Sequence, residues 1–541
     1  MKRSSLAAGM LSAAWLFASA VTAQAKPLPF LWTSVAEVPE AVEVWDRVQR
    51  ATVLGIIGTD VVRIDSGALL DNDGGALIAS VDGVDLVIDF SPGERQLEYR
   101  TFHGLVRGDD GGSAVFAIAP DGVAWASIEQ GDQRVQLVFT GVGDFHALQR
   151  VDASSGFECN ELRVEVEARE APGVEPQAGG AGDGGDGGRS LGSTDVIVDV
   201  CAFYTPAART WAGSSASIES QIAGAITRAT QTNRNSGVAM IFRLVYCGQV
   251  SYVEDGSSSD LSRFRSTTDA FLQGVHGIRQ QYGGDLMHLI TQPASLQYCG
   301  LAYLMTRLQT SFRTSAFGVT IASCMGGNVV AHEMGHNIGC THDRANAGST
   351  TLYPYSYGFR TADQRWRTVM AYRPGNRVDV WSSPLVNHQG QTMGVADRED
   401  NARSINNSMA TVARFESMQK LLWWDHAGGV PGNLGKPTLT GSGTQNLVEV
   451  PRIRIERFAP GAVGVLAIGA TRSDLPLLGG ILVPTPHATI AIPSVNPQYD
   501  WDASHLATLP AGVSVYFQAA FIDPSAAAGL ALSDGLQCDL P

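Results

Sequence analysis

Charged residues and long apolar runs are both scarce in this chain of 541 residues. Only 17% of the residues are charged, and acidic residues outnumber basic ones, so the formal net charge is −15. A nucleic-acid partner requires a basic surface for its phosphates, and this balance argues against one. Beyond the first segment, no stretch reaches the roughly 20 unbroken apolar residues of a membrane helix, so we expect no membrane span in the mature chain.

Cysteine is scarce as well, and the count of 7 is odd. At least one thiol is therefore unpaired within the chain. The first residues combine a basic start, an apolar run over 6–21 and the small-residue end Ala23-Gln24-Ala25. This pattern predicts a signal peptide over 1–25 and a secreted or cell-surface location of the bacterial export type, where disulfides form.

The composition and the pattern of apolar residues divide the remaining chain into four parts. Residues 26–171 alternate short apolar runs with Gly and Asp turns, which predicts a β-rich domain. Residues 172–194 are mostly Gly, Ala, Asp and Ser, which predicts a flexible, protease-accessible linker. Residues 195–420 alternate strands and helices, as in an α/β sheet covered on both faces. Short strands separated by Pro and Gly predict a β-sandwich over 430–541.

Individual elements of the α/β part can be predicted from apolar periodicity. The pattern predicts strands over Val196–Val200, Met240–Tyr246, Asp285–Thr291 and Ala316–Ala322, and helices over about Ser217–Asn233 and Asp260–Tyr282.

One segment of this part carries the candidate chemistry. His332 and His336 are four residues apart, so a helix places both imidazoles on one face with Glu333 beside them. Gly339 permits a turn that ends the helix, and His342 then returns as a third nitrogen ligand. Three protein ligands leave a fourth position of a zinc ion for water, which is the catalytic arrangement. Glu333 is the candidate general base.

This pattern, H-E-x-x-H-x-x-G-x-x-H, resembles that of the metzincin zinc peptidases, and Asp343 after the third histidine resembles the adamalysin (reprolysin) branch. The resemblance covers about 195–416 and includes Tyr204-Thr205-Pro206 and Tyr355-Ser356-Tyr357-Gly358. It implies a metzincin catalytic domain with one catalytic zinc ion, a buried structural carboxylate at Asp343, and a zymogen in which the β-rich region is the prodomain.

Metzincins also have a methionine turn below the metal, and Thr368-Val369-Met370-Ala371-Tyr372 resembles it. Met370 would then form an apolar floor under the histidines. Tyr372 resembles the tyrosine that approaches zinc in astacins and serralysins. Its role stays open between an oxyanion donor and a packed side chain that holds the turn.

The resemblance also implies an antiparallel edge strand that lines the cleft, for which Thr314–Ala322 is our candidate. An extended peptide would add to that edge through main-chain hydrogen bonds, so the expected substrate is protein or peptide. Residues after Met370, up to Pro384, would form the wall of the pocket for the side chain that follows the cut. We expect a monomer, and a structural calcium site cannot be read from the sequence.

The cysteines suggest pairings without fixing them. Cys159 precedes the linker and is a candidate cysteine switch that ligates zinc in the zymogen; a buried thiol and a disulfide are its alternatives. Cys201 and Cys247 follow neighbouring predicted strands, which suggests a bridge between them. Cys299–Cys324 is the first choice for a pair near the site.

Two other functions remain open at this point. A non-catalytic, secreted surface-binding protein could retain a metzincin scaffold, although Glu333 and all three candidate ligands are present. A zinc hydrolase of non-peptide amides is the third possibility. The role of the C-terminal β domain is open between adhesion, surface attachment and stabilisation.

Overall fold

The structure is a computed structural model. It describes residues 28–35, 56–65, 67–72, 74–108, 112–131, 133–152, 160–163, 195–256, 258–293, 298–416, 421–443, 450–493, 496–510, 513–526 and 528–540. The predicted signal peptide, the predicted linker over 172–194 and Cys159 lie outside these residues. Among the residues described, no helix is both long and apolar enough to cross a membrane.

The N-terminal unit, residues 28–152, is a nine-stranded antiparallel sheet in the order β1-β2-β9-β8-β7-β6-β5-β4-β3. Its strands are β1 Trp32–Ser34, β2 Ile56–Ile64, β3 Gly75–Val81, β4 Val84–Pro92, β5 Arg100–Val106, β6 Ser113–Ile118, β7 Ala124–Gln130, β8 Gln133–Phe139 and β9 Phe145–Asp152, and α1 is Gly67–Asn72. The alternation of apolar and polar residues along these strands buries one face in a core that includes Phe102, Phe116 and Leu137. The β-rich prediction for this region is confirmed.

The α/β unit, residues 195–416, contains a six-stranded sheet in the order β10-β14-β15-β13-β11-β12. Its strands are β10 Asn160–Arg163, β11 Val196–Tyr204, β12 Met240–Gln249, β13 Leu286–Thr291, β14 Gly300–Leu304 and β15 Phe317–Ile321. Strands β12, β11, β13 and β15 are parallel, whereas β14 runs antiparallel to β15. Strand β10 comes from before the predicted linker and pairs in parallel with β14.

Helices cover both faces of this sheet, as predicted. They are α2 Pro206–Ala212, α3 Ser215–Asn235, α4 Ser258–Arg265, α5 Gly274–Tyr282, α6 Val329–Asn337 and α7 Asn401–Val412. The single helix predicted over Asp260–Tyr282 is wrong, because α4 and α5 are separated by residues 266–273. Ser266 Oγ there accepts hydrogen bonds from the backbone N–H groups of Thr268 and Asp269, at 3.3 and 3.1 Å. Such side-chain acceptors compete with helical hydrogen bonds.

Short pairs of strands surround the end of α6 and the residues that follow it. They are β16 Thr341–Asp343 with β17 Tyr357–Gly358, β18 Trp366–Arg367 with β19 Asn376–Arg377, and β20 Asn387–His388 with β21 Gln391–Thr392. The first two pairs are parallel and connect the segments on either side of the candidate site.

The C-terminal unit, residues 421–540, is all-β, as predicted. Its strands are β22 Leu422–His426, β23 Thr438–Ser442, β24 Arg452–Glu456, β25 Gly464–Gly469, β26 Arg472–Leu477, β27 Gly480–Pro484, β28 Ala488–Ile492, β29 Gln498–Asp502, β30 Ser514–Ile522, β31 Leu530–Leu532 and β32 Gly535–Asp539. A six-stranded and a three-stranded sheet contribute to one core that includes Ile453, Trp501 and Phe517. Two sheets around one core are what a β-sandwich requires.

The N-terminal unit packs on α3 of the α/β unit. The Trp125 ring lies against Gly224, where any side chain would overlap it. Thr227 Oγ1 donates to Thr101 Oγ1 across the same contact at 2.9 Å. Val115, Trp125, Val138 and Val151 belong to the same buried core as the α/β unit. The two units therefore share apolar surface, and burial of that surface stabilises their contact.

Candidate metal centre

Helix α6 positions two of the three candidate ligands. The imidazoles of His332 and His336 lie on one helix face with ring centroids 4.8 Å apart. The helix ends after Asn337, and Gly339 follows with φ of 100°, a conformation that L side chains rarely adopt. Strand β16 then brings His342 within 4.7 Å of His336 between ring centroids. The predicted helix, turn and returning histidine are all present.

The three imidazoles offer a set of donor atoms that suits zinc. One ring nitrogen from each histidine lies within 4.8 Å of the others, and all three side chains are buried. His332 Nε2 and His342 Nε2 are 3.2 Å apart. Two Zn–N bonds of about 2.0–2.1 Å in tetrahedral geometry put their nitrogens about 3.3 Å apart, so the spacing fits.

Backbone carbonyls orient two of these rings. His332 Nδ1 lies 2.9 Å from Val369 O, and His336 Nδ1 lies 2.9 Å from Cys340 O. A proton on Nδ1 that is donated to a carbonyl leaves the Nε2 lone pair for a metal. Burial lowers the pKa of His332 well below its ordinary value, and the neighbouring His336 adds to this shift. This shift favours the neutral imidazole, which is the form that ligates metals.

Glu333 is fully buried next to the first ligand and packs against two glycines of the sheet. A Cβ at Gly300, the first residue of β14, would lie 2.7 Å from Glu333 Cδ and closer still to Oε1. A Cβ at Gly318 in β15 would lie 3.4 Å from Glu333 Cβ. The absence of a side chain at Gly300 therefore makes the space for the Glu333 carboxyl group. Sequence reasoning missed Gly300, and no local pattern distinguishes it from other strand glycines.

The predicted methionine turn lies directly under the histidines. Met370 is fully buried, and a Cβ at Gly335 of α6 would lie 2.8 Å from its sulfur. A Cβ at Gly358 would lie 3.0 Å from Met370 Cβ on the other side. Two glycines thus let the turn approach the helix closely, and Val369 in the same turn carries the carbonyl that faces His332.

Asp343 connects the third histidine to this turn. Its carboxylate accepts hydrogen bonds from the Tyr372 backbone N–H at 3.0 Å and from Arg360 Nη2 at 2.9 Å. It is buried, as the resemblance implied for a structural carboxylate. The Tyr372 ring centroid lies 4.2 Å from that of His342. This contact places the tyrosine beside the candidate ligands, and its chemical role stays a prediction.

The predicted cleft strand requires a correction. The candidate over Thr314–Ala322 corresponds to β15, which is parallel to β13 and lies inside the sheet. The antiparallel strand is β14, and its first residue, Gly300, contacts the Glu333 side chain. Apolar periodicity identified the strand but not its neighbours, because two buried strands of similar composition look alike in sequence.

The cysteine predictions are confirmed in one case and wrong in another. A disulfide joins Cys299 to Cys324, next to β14 and before α6. Cys201 and Cys247 are not joined, although they lie on adjacent strands. Cys201 pairs with Tyr246, and Cys247 pairs with Ala202, so the register puts the two thiols on opposite faces of the sheet. The switch predicted for Cys159 stays a prediction.

The fold and the site together define a zinc metallopeptidase. Residues 195–382 match the family model described as metallo-peptidase family M12, of the reprolysin type. This part of the chain is similar to reprolysin-like metallopeptidase domains, and the histidine triad described above is a ligand set that suits such a domain.

Bacterial relatives support the same assignment. The chain is 29% identical over 321 residues to a peptidyl-Asp metalloendopeptidase of Stenotrophomonas maltophilia strain R551-3, covering 57% of this chain and 72% of that protein. It is 34% identical over 203 residues to a protein of the same name from Xanthomonas campestris pv. campestris, covering 37% of this chain. That match spans 47%, or about half, of the relative's length.

Metalloproteinase-II from Bacteroides fragilis, a solved structure, aligns with 63% of this chain and 94% of its own. The TM-score is 0.39 and the identity 11%, and a likeness this low supports no conclusion about the fold.

Proposed function

We propose that the protein is a secreted, zinc-dependent endopeptidase of the metzincin type, made as a zymogen, that cleaves peptide bonds next to aspartate. The observation that carries the proposal is the convergence of His332, His336 and His342 beside the buried Glu333. The preference for aspartate comes from the names of the relatives. Secretion comes from the basic, apolar and small-residue pattern of the first 25 residues.

In this proposal His332, His336 and His342 hold the metal, which when bound supplies a Lewis acid for water and for the scissile carbonyl. Glu333 accepts the proton of the attacking water and passes it to the leaving amine. Met370 and Asp343 act as supports, since one packs under α6 and the other anchors the turn through Tyr372 N–H.

Strand β14 supports an extended peptide as the substrate. It runs antiparallel to β15, and Gly300 at its start contacts Glu333. A peptide that paired with this strand would pass the general base with its backbone held by main-chain hydrogen bonds. Because such recognition depends on hydrogen bonds to the peptide backbone, it favours peptides over small amides.

The pairing of strand β14 also supports the proposal that the protein is made as a zymogen. In the full chain β10 pairs with β14 from Asn160↔Leu301 to Arg163↔Leu304, directly beyond Gly300. A substrate strand needs the hydrogen-bonding groups that β10 already uses, so the two exclude each other. Cutting within 172–194 would separate β10 and the N-terminal unit from the α/β unit in sequence and allow β10 to leave.

A peptide-library digest tests the activity. Secreted protein, cut in the 172–194 segment and loaded with one zinc per chain, should cleave peptides at aspartate, and chelation should stop it. Glu333→Ala should bind zinc and cleave nothing. If the wild-type protein with stoichiometric zinc cuts no peptide, a surface-binding role replaces the proposal; cleavage of small amides alone would favour a non-peptide hydrolase.

A comparison of precursor and processed chains tests the zymogen. The uncut full chain, stabilised against its own processing by deletion of the linker cut sites, should turn over a reporter peptide far more slowly than the processed form. Equal rates for both would show that β10 does not restrict the cleft, and the zymogen part of the proposal would be withdrawn.

A further inference from the structure

One loop of the N-terminal unit contacts both of the other units. It connects β4 to β5 over residues 93–99, and three consecutive side chains in it have different partners. Glu94 forms an ion pair with Arg234 of α3. Gln96 contacts strand β12, and Arg95, between the two, contacts the C-terminal unit. The three units therefore meet at this loop.

Gln96 binds the outer edge of the α/β sheet. Strand β12 is the last strand on its side of the sheet. The fully buried Gln96 amide donates from Nε2 to Phe242 O at 3.3 Å, and its Oε1 accepts from the Leu244 N–H at 2.7 Å. A further strand would pair with these same main-chain groups, so the amide takes the place of a pairing strand there. This contact fixes the loop on the α/β unit immediately beside Arg95.

Arg95 binds three groups of the C-terminal unit, which belong to strands β22 and β23. Its Nη1 donates to Leu439 O at 3.1 Å, and its Nη2 donates to Thr440 Oγ1 at 2.6 Å. Asp425 Oδ2 lies 3.7 Å from Nη1. Arg95 Nε donates to Leu97 O of its own loop at 3.1 Å, which fixes the plane of the guanidinium group. A planar group held in this way binds its acceptors with geometric selectivity.

Cavities lie on both sides of this contact. One has a volume of about 610 Å³ and the other of about 310 Å³, and Arg95 and Asp425 line both of them. Apolar packing between the two units is therefore interrupted around Arg95. Their attachment at this place depends on the polar contacts of Arg95 and not on a continuous apolar surface.

The C-terminal unit also packs on the α/β unit. The guanidinium carbon of Arg243 in β12 lies 5.6 Å from the centroid of the Trp424 ring in β22, and a bidentate ion pair with Asp199 holds that arginine. The C-terminal unit follows the α/β unit in the chain, so a cut within 172–194 leaves these two units joined. The groups that bind Arg95 then stay on the enzyme, whereas Arg95 itself belongs to the other fragment.

We propose that the C-terminal β unit is a binding site for the cut N-terminal unit, which it recognises through Arg95. This inference goes beyond the proposed peptidase activity and does not depend on catalysis. It has one consequence for the proposed zymogen. Cutting the linker does not by itself free β14, because the retained fragment keeps β10 paired with that strand until the contacts of Arg95 are broken.

Release of the N-terminal fragment from a catalytically inactive chain tests this binding site. Full-length Glu333→Ala protein is immobilised through a C-terminal tag and cut by an added sequence-specific protease at a site placed within 172–194. The bound fragment is then followed over time in dilute urea, which makes release fast enough to measure. Arg95→Ala in the same chain should shorten the half-life of the complex about 10- to 100-fold, as expected when hydrogen bonds to a charged group are lost. Thr440→Val, which removes one acceptor on the C-terminal unit, should shorten it by a smaller factor.

A control and a double variant distinguish a lost contact from a damaged fold. Arg63→Ala changes an exposed arginine whose ion-pair partner, Asp144, lies in the same N-terminal unit, and it should leave the half-life unchanged. Adding Thr440→Val to Arg95→Ala should shorten the half-life no further, because the two residues act through one contact. Immediate loss of the fragment after the cut, or equal half-lives with and without Arg95→Ala, would overturn the binding site. Since the chain carries Glu333→Ala, neither result bears on the peptidase activity.

Discussion

Gly300 offers a sharp test of the way the sheet supports the general base. An alanine there would put a methyl carbon 2.7 Å from Glu333 Cδ. Ordinary contact between carbon atoms needs about 3.5 Å, so the Glu333 carboxyl group must retreat by about 1 Å. Gly300 has no positive φ, so the backbone itself tolerates alanine.

Displacement of a catalytic group by about 1 Å costs on the order of 100-fold in rate, and we expect kcat of Gly300→Ala to fall by about that factor. The zinc content should stay at one per chain, because no ligand is contacted. The assay is steady-state hydrolysis of a reporter peptide that contains aspartate, with metal analysis of the same sample. Gly277→Ala, in α5 with open space around it, is the folding control. Unchanged kcat in folded, zinc-loaded Gly300→Ala would refute the reasoning.

Three further outcomes are expected. Replacing Cys299 and Cys324 by serine removes a crosslink across 25 residues and should lower the free energy of unfolding by about 3–4 kcal/mol in urea titrations; an unchanged midpoint would contradict this. Burial lowers the pKa of His288 to about 3, so the stability that is present above pH ~6.5 should be lost as the pH falls towards 3. The free energy of unfolding should fall by at most about 1.4 kcal/mol per pH unit in that range. In His288→Gln the slope between pH 4 and 6.5 should be flatter, and a slope identical to that of the wild type would count against this role. Asp343→Asn weakens the hydrogen bond that the Asp343 carboxylate accepts from the Tyr372 backbone N–H, and it should lower zinc affinity about 10- to 100-fold, measured by chelator competition. An affinity equal to that of the wild type would show that Asp343 does not support the metal centre.

The sequence predicted the metal centre well because its determinants are local. The spacing of His332 and His336 needs only a helix to place both rings on one face, and Gly339 needs only its positive φ to turn the chain towards His342. Met370 could be predicted from its position after the motif, although the glycines that let it approach α6 could not.

What the sequence could not predict depends on contacts between distant residues. The expected antiparallel strand is β14 and not β15, and only the pairing of strands in the sheet decides this. The expected Cys201–Cys247 bridge failed for a similar reason, because a register offset of one residue moves a side chain to the other face. The contact of Gly300 with Glu333 joins residues far apart in the chain.

The most direct test of the account is zinc stoichiometry and peptide turnover measured together in Glu333→Gln and His336→Ala. The account predicts that Glu333→Gln keeps one zinc per chain while turnover falls by at least about 100-fold, the low end for a lost general base. It predicts that His336→Ala loses both zinc and turnover. Retained turnover in Glu333→Gln, or stoichiometric, tightly bound zinc in His336→Ala, would contradict it.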